Sequence, residues 1–173
     1  FNPDAAIKVL IEKDVSIAFP AFPAVMVALS NHDDFTPENL SKLRIINNVA
    51  PIETLRSFQN KVPQATQVSA YGLTEVGGVT SFGSPDDALE HRLTTCGKPW
   101  PEVEIRILDP ETNEVMNNEE KGLIEIKGPH VFSGYLNDKE ATKNALSDDG
   151  WFSTGDIGSL TNDGYIRFHG RIK

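Results

Sequence analysis

Gln67-Val68-Ser69-Ala70-Tyr71-Gly72-Leu73-Thr74-Glu75 reads as a buried strand that breaks into a turn. Apolar and small side chains run as far as Tyr71. Gly72 lets the backbone bend and come close to a ligand, and a hydroxyl and a carboxylate follow at Thr74 and Glu75. Upstream of it, helix and strand patterns alternate. Residues 51–59 predict a helix with Ile52 and Leu55 inward, and residues 43–46 and 15–19 predict strands. Pro23 opens a helix in which Phe22, Val25, Met26 and Leu29 keep helical spacing. Asn2 can cap a first helix with Pro3 in its opening turn, and Thr36-Pro37-Glu38 signals a further helix start.

Strands separated by roughly 10–20 residues of helix imply a parallel sheet with right-handed crossovers. Such sheets bind ligands beyond the carboxyl ends of their strands, where residues 47–51 and 71–75 fall. From about Gly83 the pattern changes. Runs at 103–108, 123–127, 157–160 and 165–168 predict strands divided by turn signals such as Asp109-Pro110 and Asn162-Asp163-Gly164, with one short helix at 138–146. The expected fold class is therefore α/β. A partial doubly wound, mostly parallel sheet (residues 1–80) precedes a small antiparallel, β-barrel-like lobe (residues 81–173).

Composition excludes several classes. With 173 residues, 39% hydrophobic and 24% charged, the chain can bury a real core. A net charge of −9 without a basic stripe argues against a nucleic-acid partner. No apolar run reaches the ~20 residues that span a bilayer. Cys96 is the single cysteine, which excludes a disulfide framework and fits a reducing, cytoplasmic setting. His32, His91, His130 and His169 lack metal-ligand spacing. Neither a Gly-x-Gly-x-x-Gly nor a Gly-Lys-[Ser/Thr] phosphate loop occurs. The chain opens on a helix signal and stops within a Gly-Arg-rich element, so a fragment of a longer protein is expected.

A second cluster, Trp151-Phe152-Ser153-Thr154-Gly155-Asp156, answers the first from far along the chain. Tyr71 could stack on a purine, Thr74 donate to a phosphate oxygen and Glu75 hold Mg²⁺. The plain alternative is a tyrosine corner followed by a helix that Thr74 caps. Asp156, read as lying on a tight turn, could accept both hydroxyls of a ribose, or be an ordinary Asx-turn aspartate. Arg171 could meet ribose or phosphate oxygens, or be a solvated strand end.

The order and spacing of these stretches resemble the adenylate-forming superfamily of acyl-CoA synthetases, aryl-CoA ligases, peptide-synthetase adenylation domains and beetle luciferases. Tyr71-Gly72-Leu73-Thr74-Glu75 is similar to its Tyr-Gly-x-Thr-Glu motif. Gly128-Pro129 through Gly134-Tyr135 resembles its Arg-Gly-Pro…Gly-Tyr segment, with Lys127 for the usual Arg. Asp149-Gly150-Trp151 through Asp156 resembles Gly-Trp-x-x-Thr-Gly-Asp, and Gly164-Tyr165 through Gly170-Arg171-Ile172-Lys173 resembles Asp-Gly-Tyr…Gly-Arg-x-Lys. Asn48-Val49-Ala50-Pro51 matches a loop that is usually Gly-Gly/Ser-Ala-Pro, and departs from it at Asn48 and Val49.

The resemblance implies a site and a reaction. Tyr71 would stack on adenine, with Ser69, Ala70, Gly72, Ala50 and Pro51 beside the nucleotide. Thr74 would hold the α-phosphate and Glu75 the Mg²⁺, the two catalytic residues of this stretch. Asp156 would take the ribose hydroxyls, with Arg171 supporting and Phe168 packing nearby. Phe19, Pro20, Phe22, Val76, Gly77 and Gly78 would line an acyl pocket that suits a fatty or other apolar carboxylic acid. The acid would be activated by ATP as acyl-AMP and passed to coenzyme A. The family's phosphate loop would lie upstream of Phe1. Its hinge and C-terminal domain would follow Lys173, which would leave residues 1–173 alone nearly inactive. Two alternatives stay open: an amino-acid adenylation domain feeding a carrier protein, and a non-catalytic nucleotide-binding or interaction module.

Overall fold

The structure, a computed structural model, describes residues 1–172. The chain forms two compact units. Phe1–Ala70 and Gly83–Thr94 make the first, and Tyr71–Phe82 with the chain from Thr95 onward makes the second.

The first unit is a parallel sheet with helical crossovers. Helix α1 (Pro3–Glu12) starts where Asn2 accepts a hydrogen bond from the Ala5 amide at 3.0 Å, and Ile7 is its buried anchor. Strand β1 (Ile17–Ala21), helix α2 (Pro23–Ser30), strand β2 (Ile45–Asn48), helix α3 (Ile52–Lys61) and strand β3 (Thr66–Val68) follow. The sheet order is β1-β2-β3. β1 runs parallel to β2 with Ile17 opposite Ile45, and β2 runs parallel to β3 with Ile46 opposite Gln67. Met26, Leu29, Leu40, Leu43, Ile46 and Phe58 pack in one core.

Three expectations are corrected here. β1 and β2 each begin two residues later than predicted. Leu43, read as strand, instead turns into the core, its amide bonded to the Leu40 carbonyl at 2.9 Å. Thr36-Pro37-Glu38 opens a single turn and no helix. Leu40 and Leu43 are buried three residues apart, and the chain must straighten by Ile45 to pair with β1. The predicted 67–71 strand breaks at Ser69 into β3 and β4 (Ala70–Tyr71).

The second unit is antiparallel. β4, β5 (Ser81–Phe82) and β6 (Lys98–Pro99) form a small sheet in that order. Helix α4 (Leu89–Thr94), absent from the sequence reading, falls between β5 and β6 but belongs to the first unit. The larger sheet comprises β7 (Glu104–Leu108), β8 (Gly122–Lys127), β9 (Phe152–Leu160) and β10 (Ile166–Arg171), in the order β10-β9-β8-β7. β7 and β10 end it on either side, so among the described residues the barrel-like lobe is not a closed barrel. Helix α5 (Lys139–Ala145) is capped by Asp138, whose carboxylate accepts from the Ala141 amide at 2.8 Å. Val76, Ile107, Ile124, Ile126, Phe152 and Ile166 form the core, with Tyr71 among them. Among the described residues no helix is long and apolar enough to cross a membrane.

Candidate functional site

The second unit holds Tyr71, Thr74, Glu75, Asp156, Phe168 and Arg171, and joins Tyr71, Asp156, Phe168 and Arg171 by direct contacts. Tyr71 ends β4 and is 7% exposed. Its hydroxyl donates to Asp156 Oδ2 at 2.7 Å, a bond between residues 85 positions apart in the chain. Burial pushes the phenol far above its ordinary pKa of 10.0, and the Asp156 carboxylate pushes it further. It therefore stays protonated and remains a donor. Phe168 on β10 stacks on the Tyr71 ring at 5.9 Å and 28°. Of the two rings Phe168 is the one that reaches solvent, at 43% exposed.

Asp156 does not lie on a tight turn. It sits inside β9, opposite Arg171 of β10, and the glycine before it supplies the local bend. Gly155 has φ +71, and nothing stands within 4 Å of where its Cβ would be. The left-handed backbone there, which glycine adopts without strain, re-aims the Asp156 carboxylate toward Tyr71. Asp156 is 6% exposed, and its amide donates to the Thr154 hydroxyl oxygen at 3.0 Å. Oδ1 lies 2.9 Å from Arg171 Nε as an ion pair, and among the described residues it accepts no hydrogen bond. A buried carboxylate oxygen held by charge alone is an acceptor with capacity for a ligand hydroxyl. Arg171 itself is largely exposed, with Nη2 donating to the Thr154 carbonyl at 3.3 Å.

Thr74 and Glu75 stand on a short 3₁₀ turn, Thr74–Val76, closed by Gly77. Val76 is fully buried and pins the turn to the core. Gly72 is required here, because a Cβ at that position would lie 2.1 Å from the Gly78 carbonyl oxygen. The 72–78 loop is thus folded back on itself. Leu73, not Thr74, precedes the turn, and no side chain caps it; the helix-cap alternative for Thr74 falls. Among the described residues the exposed Thr74 hydroxyl makes no hydrogen bond. Glu75 Oε1 accepts from the Tyr135 hydroxyl at 2.9 Å, and the Glu75 carbonyl accepts from the Phe132 amide at 2.8 Å. Tyr135 was not singled out as a site residue from sequence. Its signal was its place in the Gly134-Tyr135 motif, which carried no role.

Ser69, Ala70, Ala50, Pro51, Phe19, Pro20 and Phe22 belong to the first unit. Ala50 and Pro51 lead into α3, and Ser69 and Ala70 are buried beside β3 and β4. Asn48 is almost wholly buried. Its Nδ2 donates to Gln67 Oε1 at 3.0 Å and its Oδ1 has no hydrogen-bond partner among the described residues, while Val49 is 38% exposed. Phe19 on β1 and Phe22 ahead of α2 are exposed apolar rings, with Pro20 between them half-buried. Val76 is core, and Gly77 and Gly78 are exposed. Lys173, the last residue of the C-terminal motif, lies outside the described residues. Among the described residues no three His, Cys, Asp or Glu side chains cluster to hold a metal ion on their own.

The family model described as "AMP-binding enzyme" matches residues 2–136. A putative acyl-CoA synthetase, YngI, of Bacillus subtilis is 31% identical across the whole chain, which covers 32% of that protein. 4-Coumarate–CoA ligase 3 of Oryza sativa is 32% identical across the whole chain, again 32% of its length. Among solved structures, ATP-bound MatB from Rhodopseudomonas palustris superposes with a TM-score of 0.86. It is 29% identical over 99% of this chain and 33% of its own. The chain thus spans about a third of the length of these relatives.

Proposed function

The chain belongs to the AMP-binding enzyme family, and from that premise we propose that it serves an ATP-dependent acid–thiol ligase. An apolar carboxylic acid is activated as acyl-AMP and transferred to coenzyme A, in the cytoplasm. The observation that carries this reading is the 2.7 Å bond between Tyr71 and Asp156. It joins two motif residues from opposite ends of the second unit's sequence and leaves Asp156 Oδ1 as a buried acceptor. The relatives named acyl-CoA synthetase and 4-coumarate–CoA ligase support the reaction class.

Each residue has a part to play. Adenine lies against the Tyr71–Phe168 aromatic pair, a contact worth about 1–3 kcal/mol for a stacked base. The ribose diol takes Asp156 Oδ1, with Arg171 moving from the carboxylate to the ribose or phosphate oxygens. Thr74, whose hydroxyl is uncommitted, donates to the α-phosphate. Glu75 fits a Mg²⁺ ion that arrives with the nucleotide, since this ion takes one or two carboxylates and completes its shell with phosphate and water. When bound, that ion neutralises charge building on the phosphates.

The chemistry then needs little beyond placement. A carboxylate oxygen of the acid forms a bond to the α-phosphorus as the bond to pyrophosphate breaks. The coenzyme A thiol, having lost its proton, attacks the acyl carbon and AMP leaves. Positioning and electrostatic stabilisation are what a protein contributes to such transfers. Exposed aromatic rings at Phe19 and Phe22, with no charged residue in the 19–22 stretch to meet an α-amino group, favour an apolar acid.

Acid-dependent exchange of labelled pyrophosphate into ATP by the intact protein tests this. Fatty and aryl acids should support exchange and amino acids should not. Exchange with amino acids alone would overturn the substrate class. Nucleotide binding without exchange for any acid would overturn the activity.

A further inference from the structure

The Gly128–Tyr135 stretch holds no ligand in the reading of the site above, yet it grips Glu75 at two points. The Phe132 amide donates to the Glu75 main-chain carbonyl at 2.8 Å, and the Tyr135 hydroxyl donates to its side-chain Oε1 at 2.9 Å. Both grips are themselves anchored. Phe132 stands edge-on to Phe152 at 5.4 Å, and Phe152 is 2% exposed in the core. The Tyr135 ring stands edge-on to Phe132 at 4.8 Å. The Tyr135 amide donates to the Thr142 hydroxyl at 2.9 Å, and that hydroxyl donates to the Asp138 carbonyl at 2.7 Å. The phenol is thus fixed by core packing on one side and by α5 on the other.

We propose that Tyr135 is a positioning residue, its phenol holding Glu75 by one oxygen so that the second is left for a cation carried by the nucleotide. The inference rests on the reading of Glu75 as the metal-binding carboxylate. Among the described residues Oε2 has neither a hydrogen bond nor an ion pair. A phenol suits this task better than a lysine or arginine. It locks the carboxylate rotamer with a hydrogen bond but adds no positive charge to compete with the cation. Tyr135 is therefore distinct from a tether that merely ties the 128–135 loop down, and the two differ in what metal binding would feel.

Tyr135→Phe keeps the ring against Phe132 and removes only the donor. In the intact protein, the free Mg²⁺ that half-saturates pyrophosphate exchange at fixed ATP should rise about tenfold, as for other partners of metal ligands. Mn²⁺–ATP binding, followed by water-proton relaxation, should weaken by the same factor. The rate at saturating metal and the melting temperature should stay near wild type. Glu75→Gln is the control for the underlying reading. If it shifts metal dependence and Tyr135→Phe does not, Tyr135 is a tether and the inference is overturned. If Glu75→Gln shifts nothing, the metal assignment falls and takes the inference with it. Should Tyr135→Phe not fold, Thr142→Val loosens the same phenol through its backbone. A smaller shift in the same direction upholds the inference, and none overturns it.

Discussion

At Tyr71 a single proton decides how the site is wired. The phenol sits in the core of the second unit with its oxygen 2.7 Å from a carboxylate that is 6% exposed. Burial of the phenol raises its folded-state pKa above the ordinary 10.0, and the neighbouring Asp156 carboxylate, which would face a second anion, raises it further. The sign of the linkage follows. Below pH 10 the phenol is protonated whether the chain is folded or not, and it costs nothing. Above pH 10 the unfolded chain releases the proton and the folded one keeps it, so stability falls as pH rises, by about 1.4 kcal/mol per pH unit. Denaturant unfolding of the intact protein between pH 8 and 11 should show this decline. Tyr71→Phe should be less stable than wild type at pH 8, by about 1.5–3 kcal/mol for a lost bond to a buried charge. The gap should narrow above pH 10. Parallel curves would remove Tyr71 from the account.

At the scale of elements, what the sequence revealed depended on how local the signal was. The Asn2 cap, the helix at Pro23 and the short helix expected over 138–146 rest on local signals, and all three appear, the last as Lys139–Ala145 with Asp138 as its cap. The strand ends were read less well, because Leu43 is buried by a turn while its apolarity suggested a strand. Helix α4 was invisible. Leu89-Glu90-His91-Arg92-Leu93-Thr94 is too short for a helical stripe, and its reason for being helical is tertiary. Arg92 Nη1 donates to the Gln67 main-chain carbonyl at 2.9 Å and to Gln59 Oε1 at 3.3 Å. Gln59 Oε1 in turn accepts from the Gln67 amide at 3.2 Å. Side chains thereby satisfy the outer backbone edge of β3, where no fourth strand is seen among the described residues. Arg92→Ala leaves a carbonyl of a fully buried residue without its donor and should cost about 1–3 kcal/mol. Amide exchange should quicken at Gln67 more than at Ile46, on the middle strand. Unchanged exchange at Gln67 would mean that α4 does not hold that edge.

For the molecule as a whole, the legible and illegible parts of the site divide along the same line. Motif order points to Tyr71, Glu75 and Asp156 as one set, but only the fold gave the bond between Tyr71 and Asp156. Asp156 reaches Tyr71 because Gly155 is left-handed inside a long strand, and no spacing rule announces that. The wiring makes a global prediction. A ligand that binds only the folded chain stabilises it by mass action, by about 2.7 kcal/mol at a hundredfold excess over Kd. AMP should do so for the intact protein and should protect the amides of β9 around Thr154–Asp156. The 3₁₀ turn at Thr74–Val76, which lies in the same unit, should be protected with them. Asp156→Ala should weaken AMP by about 1.5–3 kcal/mol, the range for a hydrogen bond to a charged group, and should erase protection at β9. Asp156→Asn, which keeps an acceptor beside Tyr71 but not the charge, should fall between the two. Wild-type AMP affinity in the alanine variant would leave the buried Oδ1 acceptor without a ligand, and the nucleotide would have to be sought away from β9.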